Sequence, residues 1–443
     1  MRDDLDRILR QQGYDALVVV GPASHNPDMT YFTGSIHLSD GILVKPVGRP
    51  PVLYCASMER EEAASSGLRT EVLDVLRFFR EAGGEALEAE ARMLAHALSG
   101  NGVRGRVAYA GRKDVGQALE AARLCEARVP GLQLVGRERW SSPLLRTRAT
   151  KDPSEIERIR QTGRTTVEVV GRVAELLTSC AAPRGFLVGR DGQPLTVGAV
   201  KRRIRLWLAE LGAEDPEGTI FAVGRDAGIP HSAGRDDQPI PVGRSIVFDI
   251  FPRGAGGGYF YDFTRTWCLG HAPVEVEAAY AQVMEVYRDC SRRYVAGAVG
   301  RDIQQFACER FEAMGHPTQL SQPSGTDGYV HGIGHGLGLD VHEPPAFSLA
   351  RPPETLAAGH VVTLEPGLYY PERGFGVRLE DTFLVLRDGP PEVLAEYPMD
   401  LVLPLRRSPR GQATRRPTQR RSTARPPVGA RRRKDRPGAR RRA

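Results

Sequence analysis

The chain has 443 residues, 41% hydrophobic and 26% charged, the profile of a globular protein with room for two ordinary domains and a tail. No run approaches the ~18 apolar residues of a membrane-spanning helix. The six cysteines (55, 125, 180, 268, 290, 308) contain no Cys-x-x-Cys pair, which argues for buried reduced thiols rather than disulfides or a thiolate zinc site. The net charge of +7 conceals two opposed segments: residues 406–443 hold 16 Lys+Arg and one Asp, leaving 45 basic and 53 acidic residues in 1–405.

The charged start, Met1-Arg-Asp-Asp, lacks the basic-then-apolar order of a signal peptide, and cytoplasm is the expected location. Residues 1–147 read as an α/β domain. Ala16–Val20 predicts a buried strand, and 41–45 and 51–55 two more joined by a Pro/Gly turn. A helix is expected over 85–98 and a strand near 107–109. Asp152-Pro153-Ser154-Glu155 then carries the marks of a helix start: an Asp N-cap, Pro at the first helical position and Glu three residues on. Ile156, Ile159, Val167, Val170, Val173 and Leu177 recur behind it at helical spacing. A second domain is therefore expected over 148–405, with further helices near 197–211, 273–296 and 301–314. Residues 406–443, rich in Arg, Pro, Ala and Thr, cannot bury enough surface to offset their ordering entropy, and disorder is expected there.

Five ionisable residues sit where charge is out of place. Asp249 interrupts the apolar run Ile246–Phe251, and Glu365 ends Val361–Leu364 ahead of Pro366-Gly367. Glu380 follows Val377-Arg378-Leu379, and His335 lies between Gly334 and Gly336. Asp262 lies in a second strand-like run, 259–268. If 246–251 and 259–268 form a hairpin, pairing Asp249 with Asp262 puts Phe251 opposite Phe260 and the two carboxylates ~4.5–5.5 Å apart at Cβ. Like charges so placed repel unless a cation lies between them. Thr264 and Thr266 share the face of Asp262, and Arg378 shares that of Glu380. Four carboxylates and one imidazole balance two divalent cations, and oxygen-dominated ligands favour hard ions such as Mn²⁺.

With these segments in view, the sequence resembles the pita-bread metallopeptidases, the family of aminopeptidase P, prolidase and methionine aminopeptidase, over roughly residues 1–400. The carriers are Asp249, Asp262-Phe-Thr-Arg-Thr266, His331-Gly-Ile-Gly-His335-Gly-Leu-Gly-Leu-Asp-Val-His342, Leu364-Glu365-Pro-Gly-Leu-Tyr369 and Val377-Arg378-Leu379-Glu380-Asp381. Asn26–Gly34 and Arg146–Ile156 resemble the creatinase/prolidase N-terminal domain and its linker. The resemblance implies two divalent metal ions, Mn²⁺ favoured over Co²⁺, Zn²⁺ and Fe²⁺, held by Asp249, Asp262, His335, Glu365 and Glu380. It implies that Glu365 shuttles protons, that His231 stabilises the reacting centre, and that His342 and Arg378 lie around the proline-side pocket with His331 as their neighbour; His231, Glu365 and His342 are the expected catalytic residues, and His231, His342, Arg378 and His331 the expected substrate-binding ones.

The substrate class implied is peptides with proline second, cleaved as an Xaa-Pro aminopeptidase. A dipeptide-restricted prolidase, a non-peptide amide hydrolase and a non-catalytic binding protein of the same fold are the alternatives. Homodimers or larger homo-oligomers are also implied, without membrane association. One departure stands out: the family's Asp-x-Gly is here Asp249-Ile250-Phe251, and the longer loop Pro252–Gly258 is expected to reshape the mouth of the site. His25, His37 and His360 read as solvated turn residues, and the N-terminal domain, which has no comparable cluster, as structural. No Walker A, GxSxG or GxGxxG segment is present. The tail could hold nucleic acid only nonspecifically, since it has no aromatic residue for base stacking, and a passenger extension is the favoured reading.

Overall fold

A computed structural model describes residues 4–405. The segment 406–443, with the disorder and nucleic-acid contact considered for it, lies outside the described residues. Strands β1 (Ala16–Gly21), β2 (Gly41–Pro46), β3 (Val52–Ala56), β4 (Arg69–Leu73), β5 (Arg106–Gly111) and β6 (Gln133–Val135) form one sheet in the order β4-β3-β2-β1-β5-β6. Pairing is antiparallel for β1–β2 and β2–β3 and parallel elsewhere. β1 is buried at all six positions, as its unbroken apolar run requires of a central strand covered on both faces. Helices α1 (Asp4–Gln11), α2 (Pro27–Thr33), α3 (Arg60–Ser65), α4 (Val75–Glu81), α5 (Ala86–Gly100) and α6 (Val115–Arg128) accompany this sheet. α7 (Pro143–Arg148) leads out of it. The buried residues of the two cores here come from 5–144, and those of the two large cores beyond come from 159–395.

α8 (Pro153–Ser179) begins with the anticipated capping box. Asp152 Oδ1 accepts from the amides of Ser154 (2.8 Å) and Glu155 (2.9 Å), while the Asp152 amide donates to Glu155 Oε2 (2.8 Å). Ile159, Val170, Val173 and Leu177 are buried on its inner face. Helices α9 (Val197–Glu210), α10 (Val274–Ser291) and α11 (Gly300–Ala313) lie close to their expected spans. Short β7 (Ala213–Glu214) and β8 (Ile220–Val223) precede the hairpin β9 (Ser245–Ile250), β10 (Arg253–Gly254) and β11 (Phe263–Leu269). Then come β12 (His335–Gly336), β13 (Glu343–Ala346), β14 (Val361–Leu364), β15 (Gly367–Tyr370), β16 (Phe375–Arg378), β17 (Asp381–Leu384), β18 (Glu392–Val393) and β19 (Val402–Leu403). They build a four-stranded sheet β19-β11-β9-β8, a five-stranded sheet β13-β12-β14-β17-β18 and the pair β15-β16.

Three expectations are corrected. The hairpin register is two residues off: Asp249 stands opposite Thr264, not Asp262, and the same register carries Arg253 opposite Phe260. The turn closes further out, where the Gly254 amide donates to Tyr259 O (3.1 Å) and the Gly258 amide to Gly254 O (2.9 Å). Second, 377–380 is not one strand. β16 pairs with β15 as far as Arg378, and β17 pairs with β14 from Asp381. Leu379 and Glu380 cross between them, with the Glu380 amide donating to Thr264 O (3.0 Å). Third, His360 is buried, not solvated. It bridges to Thr150, and its Nδ1 accepts from the Ala357 amide (3.2 Å). His37 is exposed as expected; His25 is exposed too, though its Nδ1 accepts from Arg253. All six cysteines are buried and unbridged, and no described helix is long and apolar enough to cross a membrane.

Candidate metal centre

The ends of β9, β11, β12 and β14 and the β16–β17 crossing converge on the five anomalous residues. Ligand atoms of Asp262, His335 and Glu380 all lie within 4.8 Å of one another. His335 Nε2 is 3.6 Å from Asp262 Oδ2 and 3.5 Å from Glu365 Oε1, so Glu365 joins the group through the histidine. Asp249 approaches from β9, one oxygen accepting from Arg378 Nη2. The close approach of β12 needs glycines: a Cβ on Gly334 would fall 2.1 Å from Thr363 O, and one on Gly336 would fall 2.2 Å from Pro344 O.

The electrostatics are those of an anionic cluster withdrawn from water. Asp249, Asp262 and Glu380 are at most 7% exposed. Burial, then the charges of Asp249 and Glu365, drive the Asp262 carboxyl far above the usual range; burial, then Asp262, do the same to Glu380. Burial pushes Glu365 up to about 8 against the lowering pull of Arg378. Burial takes His335 and His331 down to about 3.

Two observations bear on whether these residues fit metal ions. Asp249 Oδ1 and Glu380 Oε1 are buried with no hydrogen-bond partner, which is costly for carboxylate oxygens unless a cation meets them. His335 donates Nδ1–H to Gly336 O (3.1 Å), which leaves the Nε2 lone pair facing the acids, the tautomer a metal-ligating histidine adopts. The residues therefore fit divalent cations.

Around the acids runs a chain of fixed groups. Thr264 Oγ1 donates to Glu380 Oε2 (2.7 Å) and accepts from Arg378 Nε (3.3 Å). Thr266 instead serves the backbone, donating to Arg378 O and accepting from the Arg378 amide, both 2.8 Å. Arg378 Nη1 donates to Pro230 O (3.1 Å) and to the Tyr369 hydroxyl (2.9 Å). The Tyr369 hydroxyl donates to His331 Nε2 (2.7 Å), and His331 Nδ1 donates to Gly332 O (2.7 Å). Arg378, 2% exposed, is thus committed to protein partners. It anchors Asp249 and the loop that presents His231, which is exposed. His331 Nδ1 lies 3.8 Å from Glu365 Oε2. His342 stands edge-on to His335, ring centroids 4.3 Å apart.

Residues outside the sequence reading brace this centre. Arg265, 1% exposed, donates to Glu380 O (2.8 Å) and Thr264 O (3.0 Å) and pairs with Asp381 (2.9 Å), which also accepts from the Tyr287 hydroxyl (2.6 Å). The signal that singled out Asp249, charge inside an apolar strand, applies equally to Arg265. Tyr369 carried no such signal. The long hairpin loop does not simply rim the centre. A Cβ on Gly257 would fall 2.8 Å from the His25 amide nitrogen, and Arg253 donates to His25 Nδ1 and Glu214 Oε1 (2.7 Å), so the loop docks on the N-terminal half.

The profile of metallopeptidase family M24 matches residues 157–387. The chain is 34% identical over 181 residues to a Pyrococcus furiosus Xaa-Pro dipeptidase, which covers 40% of this chain and 47% of that protein. It is 27% identical over 280 residues to human Xaa-Pro aminopeptidase 3, covering 58% and 50% respectively. The chain spans about half the length of the curated relatives it matches. In fold it is similar to the X-Pro aminopeptidase of Thermotoga maritima, with TM-score 0.69, 21% identity, and 89% of this chain and 99% of that one covered. The Pyrococcus horikoshii prolidase gives 0.67, 20%, 90% and 98%.

Proposed function

Because the chain belongs to metallopeptidase family M24, we propose that it is a dinuclear metal-dependent hydrolase cleaving the peptide bond between an N-terminal residue and proline. The carrying observation is the set of Asp262, His335 and Glu380 with ligand atoms within 4.8 Å of one another, and orphaned oxygens on Asp249 and Glu380. Asp249, Asp262, His335, Glu365 and Glu380 would hold two divalent ions, Mn²⁺ by preference for a mostly oxygen ligand set. Such ions supply Lewis acidity and lower the pKa of water to about 7.

The remaining work falls to the chain's own side chains. Glu365, whose two oxygens face His335 and His331, takes the proton from the attacking water and returns it to the leaving proline nitrogen. His231 lies exposed on its loop, where it can meet the developing oxyanion. His342 borders the proline side. His331, held by the Tyr369 hydroxyl, stands beside Glu365 at 3.8 Å. Arg378 acts by holding Asp249 and the His231 loop in place, since its donors are already used within the protein. We place the division between an N-terminal creatinase/prolidase-like domain and the catalytic domain at 147/148, and the protein in the cytoplasm as a homo-oligomer.

Hydrolysis of an Xaa-Pro dipeptide and an Xaa-Pro-Xaa tripeptide, with and without Mn²⁺, tests the reading. We expect Mn²⁺-dependent release of the first residue from the tripeptide. Cleavage of the dipeptide alone would make the protein a prolidase, and cleavage of neither would remove the peptidase assignment.

A further inference from the structure

A cavity of about 710 Å³ opens between β1, β5 and the loop that carries His342, and five arginines line it: Arg112, Arg137, Arg139, Arg148 and Arg253. Asp28, Glu217 and Asp340 are the acids in its lining, and Glu343 and Glu214 pair with Arg148 and Arg253 from outside it. The surrounding body, residues 1–405, is acidic overall, so this group of guanidiniums stands against its net sign. Leu17, Ala108, Leu145 and Phe260 supply apolar wall, and low-dielectric walls strengthen the field of charges they enclose.

The arginines are not equally engaged. Arg148 is 2% exposed and bound to Asp28 (3.2 Å), Asp340 (2.8 Å) and Glu343 (2.8 Å). Arg253 is held by Glu214 and His25. Arg139 lies 3.2 Å from Asp340 Oδ1 and donates to His342 O (3.2 Å), so the cavity borders the residue assigned to the proline side. The Arg112 guanidinium, by contrast, donates only to His25 O, and Arg137 donates Nε–H to the Tyr14 hydroxyl (2.7 Å). A guanidinium carries five donors in a planar fork, so both keep a fork able to bind a carboxylate bidentately.

We propose that this cavity is a carboxylate-binding site, with Arg112 and Arg137 as its free forks, and that it takes an acidic group of the substrate downstream of the scissile bond. The second clause rests on the peptidase reading; the first does not. The extended hairpin contributes directly, since Arg253 and Phe260, paired across it, both line the cavity. The N-terminal half then takes part in substrate choice as well as in folding.

The test has two arms on the metal-loaded full chain. In the first, succinate is titrated calorimetrically into the native protein, an Arg112→Gln/Arg137→Gln variant and the corresponding double Lys variant. We expect saturable binding, weakened at least tenfold by Gln and less by Lys, with melting temperature unchanged. No heat in the native protein, or equal affinity in all three, overturns the site. Tighter binding of inorganic phosphate than of succinate overturns its assignment to carboxylate. In the second arm, Xaa-Pro-Glu and Xaa-Pro-Gln peptides are compared, each with an amidated C-terminus. A lower KM for the acidic peptide that vanishes in the Gln variant with kcat kept places the carboxylate on the substrate. Equal KM values overturn that clause. If no peptide is cleaved, the peptidase reading fails while the succinate arm still decides the site.

Discussion

At the scale of single residues, a buried group is explained by what meets it. Asp249 Oδ1 and Glu380 Oε1 have no protein partner, whereas the equally buried Asp381 has Arg265 and Tyr287; the first two call for cations and the third does not. His360 is a different case, a neutral base sealed away from the centre. Burial, with Lys151 and Arg146 nearby, pushes it down to about 3, against about 6.5 in an unfolded chain. A base depressed by folding binds more protons when unfolded, so its share of stability is intact above about pH 6.5 and drains as pH falls toward 3. His360→Asn keeps an acceptor for the Ala357 amide and removes the titration. Chemical denaturation at pH 7 and pH 5 should show the native protein losing about 2 kcal/mol more than the variant over that interval. Equal losses would contradict the buried neutral state.

At the scale of elements, patterns that depend on neighbouring residues were readable and patterns that depend on distant ones were not. The capping box at Asp152–Glu155 is local, and it forms as written. Asp152→Ala should lower stability by about 1 kcal/mol, and Asp152→Ser, which keeps a capping oxygen, should recover most of it in the same melt. The five converging residues were legible because an ionisable side chain in an apolar or glycine-rich run stands out. The hairpin register was not, because alternation has period two and a shift of two residues leaves every face unchanged. The observed pairing comes with the docking of Arg253 and Gly257 on the N-terminal half, a contact distant in sequence. The same holds for the crossing at Leu379 and Glu380, decided by Thr264 across the sheet, and for His360, buried by a bridge to Thr150. Helices α1, α3, α4 and α6 went unread, although the side chains of Asp74 and Asp114 cap α4 and α6.

At the scale of the molecule, the two halves meet through charge. Arg148 and Lys151, both beside the expected boundary, converge on Glu343, one residue past His342, at 2.8 Å and 2.6 Å, and Glu343 is fully buried. A buried ion so paired is expensive to break, and this network ties the loop bearing His342 to α2 through Asp28. The fold thus sets the anionic centre, which we propose holds cations, near an arginine-lined cavity, which we propose holds an anion.

The central claim is that the five converging residues are a dinuclear metal site. Equilibrium dialysis of the metal-stripped chain against Mn²⁺, read by atomic emission, tests it most directly. The native chain should retain two ions, and Glu380→Ala, which removes one orphaned oxygen and one member of the close cluster, should lose at least one. Retention of no ion by the native chain, or of two by Glu380→Ala, would contradict the account.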